Sequence, residues 1–182
     1  YQVHFAGFNG NVIRYLKFNR RMNNAQDFIS REAGLLCSDA SLPASAFATA
    51  EVKDNFMGIP QEFAHSRLYT DIDFTFYVDD DYTMLNIFEG WMDYISSGAE
   101  REVADFQKPF YRRMRYPDTY KCDTMFISKF EKNAKRILRY QFINAFPKSI
   151  TPIPVQYGSA DLLKVNVSFN YDRYIVANKK GL

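Results

Sequence analysis

The sequence predicts a mainly β fold: an antiparallel β-sandwich or barrel with one packed α-helix at about residues 81–97 and long interaction loops. The first observation is the alternation of apolar and polar side chains from Asp71 to Val78, which is typical of a half-buried strand. The second is the same alternation from Leu163 to Asp172. The third is that the other apolar segments lack the regular strand–helix alternation of a parallel sheet.

The helix follows the first of these strands directly. After Asp79–Asp81 the period changes from two to three or four residues, which places one apolar stripe along a helix. The stripe consists of Leu85, Phe88, Met92 and Ile95. An aspartate before the first turn can accept hydrogen bonds from the free amides there, and its charge suits the helix dipole. The run Ser96–Gly98 ends the helix.

The residue pattern of the N-terminal third predicts two strands joined by a turn. Tyr1–Phe5 alternates weakly and predicts a strand, and the pair Asn9-Gly10 favours a tight hairpin turn. A second strand is then expected through Val12, Arg14 and Leu16. The polar stretch Arg20–Glu32 is interpreted as a loop or a short irregular helix.

Two irregular insertions interrupt an otherwise single domain spanning 1–182. Residues 38–66 are rich in Ser and Ala and are broken by Pro43, with one possible strand at Glu51–Met57 and a connection containing Gly58, Pro60 and His65. A loop of about 29 residues is unusual in a compact domain unless it binds something, so it is the first candidate interaction element. The second insertion, residues 100–120, is dense in aromatic and basic side chains.

The C-terminal third predicts a hairpin and a final strand. Lys121–Phe130 and Arg136–Phe146 form its two strands, joined by a turn within Glu131–Lys135. The prolines from Pro147 to Pro154 make the next stretch extended and unable to join a sheet centrally, because proline lacks the amide hydrogen.

Composition narrows the classes of function. The formal net charge of +2 is too small to indicate a polyanion-binding protein on bulk charge alone. The chain has 17 Phe and 13 Tyr, which suits either large protein–protein contacts or a tyrosine-rich sheet surface. No apolar run approaches the ~20 residues of a membrane span.

The reactive side chains do not form a catalytic or metal-binding pattern. His4 and His65 lack the spacing of metal ligands, and Asp79–Asp81 is better explained as a helix cap than as a metal site. Glu89 and Asp93 are expected on the solvated side of the helix. A thiol–histidine pair of His65 with Cys37 or Cys122 is a weak alternative. We therefore expect a protein that is not an enzyme and holds no cofactor.

The sequence supports nucleic-acid binding somewhat better than it supports catalysis. The segment Phe110–Tyr116 interleaves aromatic side chains with arginines, which suits base stacking and phosphate contact. Lysines and arginines also flank the turn of the predicted hairpin. Tyr and Arg are equally enriched in protein interfaces, and turn lysines protect sheet edges, so we favour an interface.

Five segments, in order, resemble the tail tube proteins of contractile-tailed bacteriophages. They are Cys37–Pro43, Asp71–Asp79, Phe88–Asp93, Asn144–Ile150 and Val165–Asp172. None is a signature alone; the resemblance lies in their order and spacing between about Gly34 and Tyr174.

The resemblance implies a hexameric ring that stacks into a hollow tube inside a contractile sheath and on baseplate tube proteins, with DNA passing through its lumen. The implied location is the phage tail, after assembly in the host cytoplasm. Alternatives are a baseplate tube initiator or the inner tube of a phage-derived contractile injection system. The residues expected between subunits are Leu42, Pro43, Phe47, Phe56, Met57, Ile59, Phe63, Tyr111, Arg113 and Tyr116.

Overall fold

The computed structural model describes residues 1–53, 58–96, 113–132, 136–153, 158 and 162–180. The strands are β1 Gln2–Ala6, β2 Cys37–Ala40, β3 Ser45–Val52, β4 Gln61–Tyr69, β5 Ile72–Tyr77, β6 Cys122–Phe130, β7 Arg136–Ile150, β8 Lys164–Asn170 and β9 Arg173–Lys180. The helices are α1 Gly10–Asn19, α2 Ala25–Arg31 and α3 Thr83–Ile95, with a 3-10 turn at Pro117–Thr119. The mainly antiparallel β class predicted from the sequence is confirmed.

Six of these strands form one sheet in the order β1-β6-β7-β8-β5-β2, and β9 is its seventh strand, paired with β7. Every pair in this main sheet is antiparallel. The long strand β7 connects its two halves, because its first part pairs with β6 and β9 and its end pairs with β8. The predicted hairpin of β6 and β7 is therefore present.

Pro147 does join the sheet, but not at a central position, as the sequence predicted. Pro147 lies inside β7, opposite Phe169 of β8, and a bulge follows it before Ser149. The β6 register ends at Ala145, so Pro147 sits where β7 has a strand partner on one side only within the described residues. An edge position of this kind tolerates the missing amide hydrogen.

The core lies between the main sheet and α3. The strand predicted at Asp71–Val78 buries Ile72, Phe74 and Phe76, and the strand near the C-terminus buries Val165, Val167 and Phe169. Trp91 of α3 is fully buried, and its Nε1 donates a hydrogen bond to the carbonyl of Tyr120 at 2.8 Å. Both alternating segments therefore form the strands that the sequence predicted.

The predicted helix is confirmed, but its buried face differs from the predicted stripe. Met84, Ile87, Phe88, Trp91 and Tyr94 are the large buried residues, whereas Leu85, Met92 and Ile95 are only partly buried. The helix is covered on a second side by α1, where a Cβ on Gly90 would come within 2.5 Å of Leu16 Cδ2. This second contact rotates the buried face away from the predicted stripe.

An aspartate does cap the start of α3, although it is not the residue directly before the helix. The residue that precedes the helix is Tyr82, with φ of 55° and no side-chain cap. The Asp79 carboxylate instead accepts a hydrogen bond from the amide of Met84 at 3.3 Å. The helix-cap interpretation therefore holds for Asp79.

The hairpin predicted around Asn9-Gly10 is wrong, because α1 begins there. The Asn9 side chain accepts a hydrogen bond from the amide of Asn11 at 3.0 Å and thereby caps the helix. Val12 and Leu16 are both buried, and their spacing of four fits a helix as well as a strand. A second short helix, α2, occupies the stretch interpreted as a loop or irregular helix, so the described chain has three α-helices rather than one.

The first long insertion is not a loop. Residues 45–69 contain the antiparallel pair β3 and β4, and β2 begins the same stretch by pairing with β5. The strand predicted at Glu51–Met57 ends at Val52, residues 54–57 lie outside the described part, and His65 belongs to β4 rather than to a connection. This hairpin was not predicted because its exposed strands lack the apolar–polar alternation of a half-buried strand.

Of the second insertion, residues 100–112 lie outside the described part of the chain. Among the residues that the structure describes, no helix is long and apolar enough to span a membrane.

We expect Gly34→Ala to destabilise the fold by about 3 kcal/mol, because backbone overpacking of this kind is poorly relieved. A Cβ at this position would lie 1.8 Å from the carbonyl oxygen of Val3, so β1 would have to move. The matched control is Gly10→Ala, where a Cβ meets nothing within 4 Å. Urea unfolding followed by the fluorescence of Trp91 measures both; equal stability of the two variants would contradict the proposed packing.

Candidate assembly surface

The β3–β4 hairpin is the element of the described chain with the least support from the rest of its subunit. Its two strands pair with each other and with no strand of the main sheet in the described residues. Large apolar side chains on it are exposed: Phe47 63%, Ile59 83%, Phe63 55% and Leu68 53%. A two-stranded hairpin is marginally stable alone, so this surface is expected to be covered by a partner.

The register gives the hairpin two different faces, since residues directly opposite each other share a face. One face, here called the alanine face, combines alternate residues of β3 with their partners on β4. Its apolar members are Ala46, Ala48, Ala50, Val52, Phe63 and Leu68, and its polar members are Gln61 and Ser66. Small side chains beside a few large ones allow another backbone to approach closely.

The opposite face, here called the clamp face, is polar toward its tip. Its members are Ser45, Phe47, Thr49, Glu51, Glu62, Ala64, Arg67 and Tyr69. Glu51 lies directly opposite Glu62, and Glu51 also pairs with Lys53 at 2.8 Å. Two carboxylates in this position favour contact with water or with cations, so the alanine face is the better candidate for an apolar interface.

At the base of the hairpin the clamp face contacts β9. Arg67 donates hydrogen bonds from Nη2 to the hydroxyls of Ser45 at 3.0 Å and of Tyr174 at 3.1 Å. The hydroxyl of Tyr174 in turn donates to Ser45 Oγ at 3.1 Å. Hydrogen bonds that the ionised Tyr174 oxygen accepts from Ser45 and then from Arg67, together with the charge of Arg67, lower the pKa of Tyr174 from its usual value.

One extra residue interrupts the hairpin register. Ala48 pairs with Ser66 and Thr49 pairs with Ala64, so His65 is the additional residue of a β-bulge on β4. His65 is exposed there, whereas the thiols of Cys37 and Cys122 contact backbone carbonyls of their own surroundings. Burial raises the pKa of both thiols to about 12, so they stay protonated at neutral pH and are poor nucleophiles.

The structure brings together only part of the predicted contact set. Phe47, Ile59 and Phe63 lie on the hairpin or its turn; Leu42 and Pro43 come just before it, with Leu42 exposed and Pro43 half-buried. Phe56, Met57 and Tyr111 lie outside the described residues. Leu68, Val52 and the three alanines were not predicted; the alanines recur at the two-residue period of a strand, but without the apolar–polar contrast of a half-buried one.

The remaining two predicted residues, Arg113 and Tyr116, lie on a separate segment after α3, and both are exposed. Their neighbour Arg115 is engaged within the subunit. Its Nε donates to the carbonyl of Tyr94 at 2.8 Å, and its guanidinium lies 4.2 Å from the centre of the Tyr94 ring. This arrangement places a cation at the C-terminal end of α3, where the helix dipole favours it.

The arginine at the β6–β7 hairpin is similarly engaged. Arg139 donates from Nε to Ser128 Oγ at 3.1 Å and lies over the ring of Phe126. Within the described residues, no group of three or more His, Cys, Asp or Glu side chains could hold a metal ion. Arg115 and Arg139 thus both make contacts within the subunit.

Comparison with known structures shows the fold. A chain in the cryo-EM structure of the PVC sheath/tube terminator, from an extracellular contractile injection system, is 17% identical with a TM-score of 0.51, covering 78% of this chain and 84% of that chain. A chain of the tube-terminating cap of the anti-feeding prophage is 16% identical with a TM-score of 0.52, covering 79% and 80%. The comparison with curated proteins gave no match.

Sequence comparison identifies the family. The profile described as phage tail tube protein matches residues 1–177, nearly the whole chain. The antiparallel fold agrees with this match, which shows that the chain belongs to the phage tail tube protein family and is a structural subunit of a tail tube.

Proposed function

We propose that this subunit forms hexameric rings that stack into the hollow inner tube of a contractile phage tail, and that the β3–β4 hairpin bridges one subunit to the next. The observation that carries the proposal is the exposed alanine face on a hairpin that pairs with no strand of the main sheet in the described part of its own subunit. The expected occupant of that face is a second copy of this chain.

Stacking requires two different surfaces on each ring. A head-to-tail interface that closes at six leaves unlike upper and lower faces, so identical rings can add without limit. Edge strands that would otherwise invite aggregation then serve as pairing surfaces for the neighbouring subunit. In the described main sheet β1 and β2 are the terminal strands, and β9 pairs with β7 alone.

The remaining parts of the proposal follow from the family. The tube is surrounded by a sheath protein, starts on baseplate tube proteins, and conducts DNA without sequence-specific binding. It is assembled in the host cytoplasm and becomes part of the virion tail. The small net charge of +2 supports this, since a strongly basic lumen would hold the DNA phosphates.

A second candidate is a tube component of a contractile injection system or a baseplate tube initiator. The fold likeness to the PVC and anti-feeding prophage structures supports it. These alternatives share the ring but differ in whether it elongates without other proteins.

Negative-stain electron microscopy of the concentrated protein tests the assembly. We expect six-fold rings that elongate into hollow tubes. Rings that never elongate would favour the baseplate initiator, and a protein that stays monomeric with sheath and baseplate proteins present would contradict the tube proposal.

The alanine face makes a more specific prediction. We expect Phe63→Ser to raise the critical concentration for assembly at least about tenfold, because burying one Phe contributes more than the ~1.4 kcal/mol that this factor represents. The free energy of unfolding of the isolated subunit should change by less than about 1 kcal/mol, since this side chain is already 55% exposed.

The matched control for this variant is Phe18→Ser on α1. Phe18 is 66% exposed, so the same chemical change is made at a similar exposure but away from the hairpin. Sedimentation velocity over a concentration series compares the two variants. Assembly of the Phe63 variant at the wild-type concentration would show that the alanine face is not the contact.

A further inference from the structure

We propose that Arg67 is a positioning residue, which fixes the direction in which the hairpin leaves the subunit by clamping it to Tyr174 of β9. The hairpin's role in assembly rests on the function proposed above. The clamp itself is a property of the single subunit and is testable without assembly.

The clamp is needed because the base of the hairpin has few other restraints in the described residues. One backbone hydrogen bond closes it, from the amide of Thr70 to the carbonyl of Ala44 at 3.4 Å. The Thr70 hydroxyl donates to the same carbonyl at 3.2 Å. These contacts join the two strands to each other, and hydrogen bonds between Ser41 and the backbone of Asp73 join the segment before β3 to β5. Neither set of contacts reaches β9.

Arg67 is the residue that joins both strands of the hairpin to β9. Its guanidinium lies 5.2 Å from the ring centre of Tyr69 and 5.3 Å from that of Tyr174, while Nη2 binds the hydroxyls of Ser45 and Tyr174. One cation thus contacts two residues of the hairpin and one of β9. The two rings meet edge to face at 5.4 Å, which fixes the angle between them.

The rings of the clamp rest on further aromatic side chains. Tyr174 contacts Tyr140 at 5.9 Å and Phe142 at 6.5 Å, and Tyr69 contacts Tyr171 at 6.1 Å. Phe142 is fully buried and Tyr171 nearly so. Through these ring contacts the hairpin packs against the buried interior of the main sheet.

The chemistry requires arginine rather than lysine. A planar guanidinium stacks on rings and donates hydrogen bonds in fixed directions, whereas an ammonium is a point charge on a flexible stem. The position on the clamp face also matters. Because Ser45, Arg67 and Tyr69 share that face, holding them against β9 turns the alanine face away from the subunit's own β9.

The test measures hairpin direction in the unassembled subunit by double electron–electron resonance. Unnatural amino acids coupled to nitroxides replace Ile59, beside the hairpin turn, and Phe18 on α1, so both native cysteines stay in place. The wild-type protein should give one narrow distribution of distances, and Arg67→Met should widen it at least twofold. The matched control is Arg173→Met on β9, which should keep the distribution narrow.

Two further variants separate the parts of the clamp. Arg67→Lys keeps the charge but loses the planar stacking, and Tyr174→Phe keeps the ring but loses the hydroxyl; each should also widen the distribution. Fluorescence of Trp91 verifies that every variant is folded, and these milder variants decide the question if Arg67→Met does not fold. A distribution as narrow as wild type in Arg67→Lys would overturn the stacking argument, and in Arg67→Met it would overturn the clamp.

Assembly of the same variants is scored separately. A widened distribution together with loss of rings supports both the clamp and the hairpin's role in assembly. If wild-type protein forms no rings at all, the proposed function fails, and the distance distribution still decides the clamp.

Discussion

Contact among the aromatic rings around Phe169 determines how the main sheet and α3 fit together. The ring of this β8 residue lies 5.6 Å from that of Phe74 on β5, 6.1 Å from Phe5 on β1, and 5.8 Å from Phe88 on α3. Trp91, one turn further along α3, contacts it at 6.2 Å. The backbone of Phe169 also pairs on both sides, with Ile72 and with Pro147. One side chain thus connects the helix to three strands, and close-packed aromatic contacts of this kind resist displacement.

The subunit is therefore divided into a part that is stable by its own packing and a part that is not. The main sheet and α3 bury most of their large apolar side chains within the chain, with Phe130, Ile175 and Val176 as exposed exceptions. The β3–β4 hairpin exposes nearly all of its residues and relies on contacts at its base. This division suits a protein that folds as a monomer and completes its interactions in a ring, because the surface needed for assembly is already formed as a strand pair rather than as a disordered arm.

Strands and helices could be predicted from the sequence where one of their faces is buried within the subunit. Ile72, Phe74 and Phe76 predict their strand because one face of it is buried and the other is polar. Phe88 lies in a helix-period pattern because one face of α3 is likewise buried. Ala46, Ala48 and Ala50 gave no such signal, because neither face of β3 is buried in the single subunit. The candidate contact residues on the hairpin were found from their size in an unusual stretch, and Leu68 was missed because it directly precedes Tyr69 and the central strand. Val12 and Leu16 fitted both periods, and the Asn9 cap decided between them.

The bulge at His65 separates the curvature of the hairpin from the set of side chains that each of its faces presents. A β-bulge bends its strand and increases the local twist, and here it adds one residue to β4 between the clamped base and the tip. The pairs on either side of it keep the alanine face continuous from Leu68 to Phe63. Loss of this residue would straighten the ribbon without exchanging its faces, whereas a one-residue change elsewhere in β4 would exchange them. The curvature of the ribbon and the side chains that each face presents are thus encoded by different residues, so one can change while the other is kept.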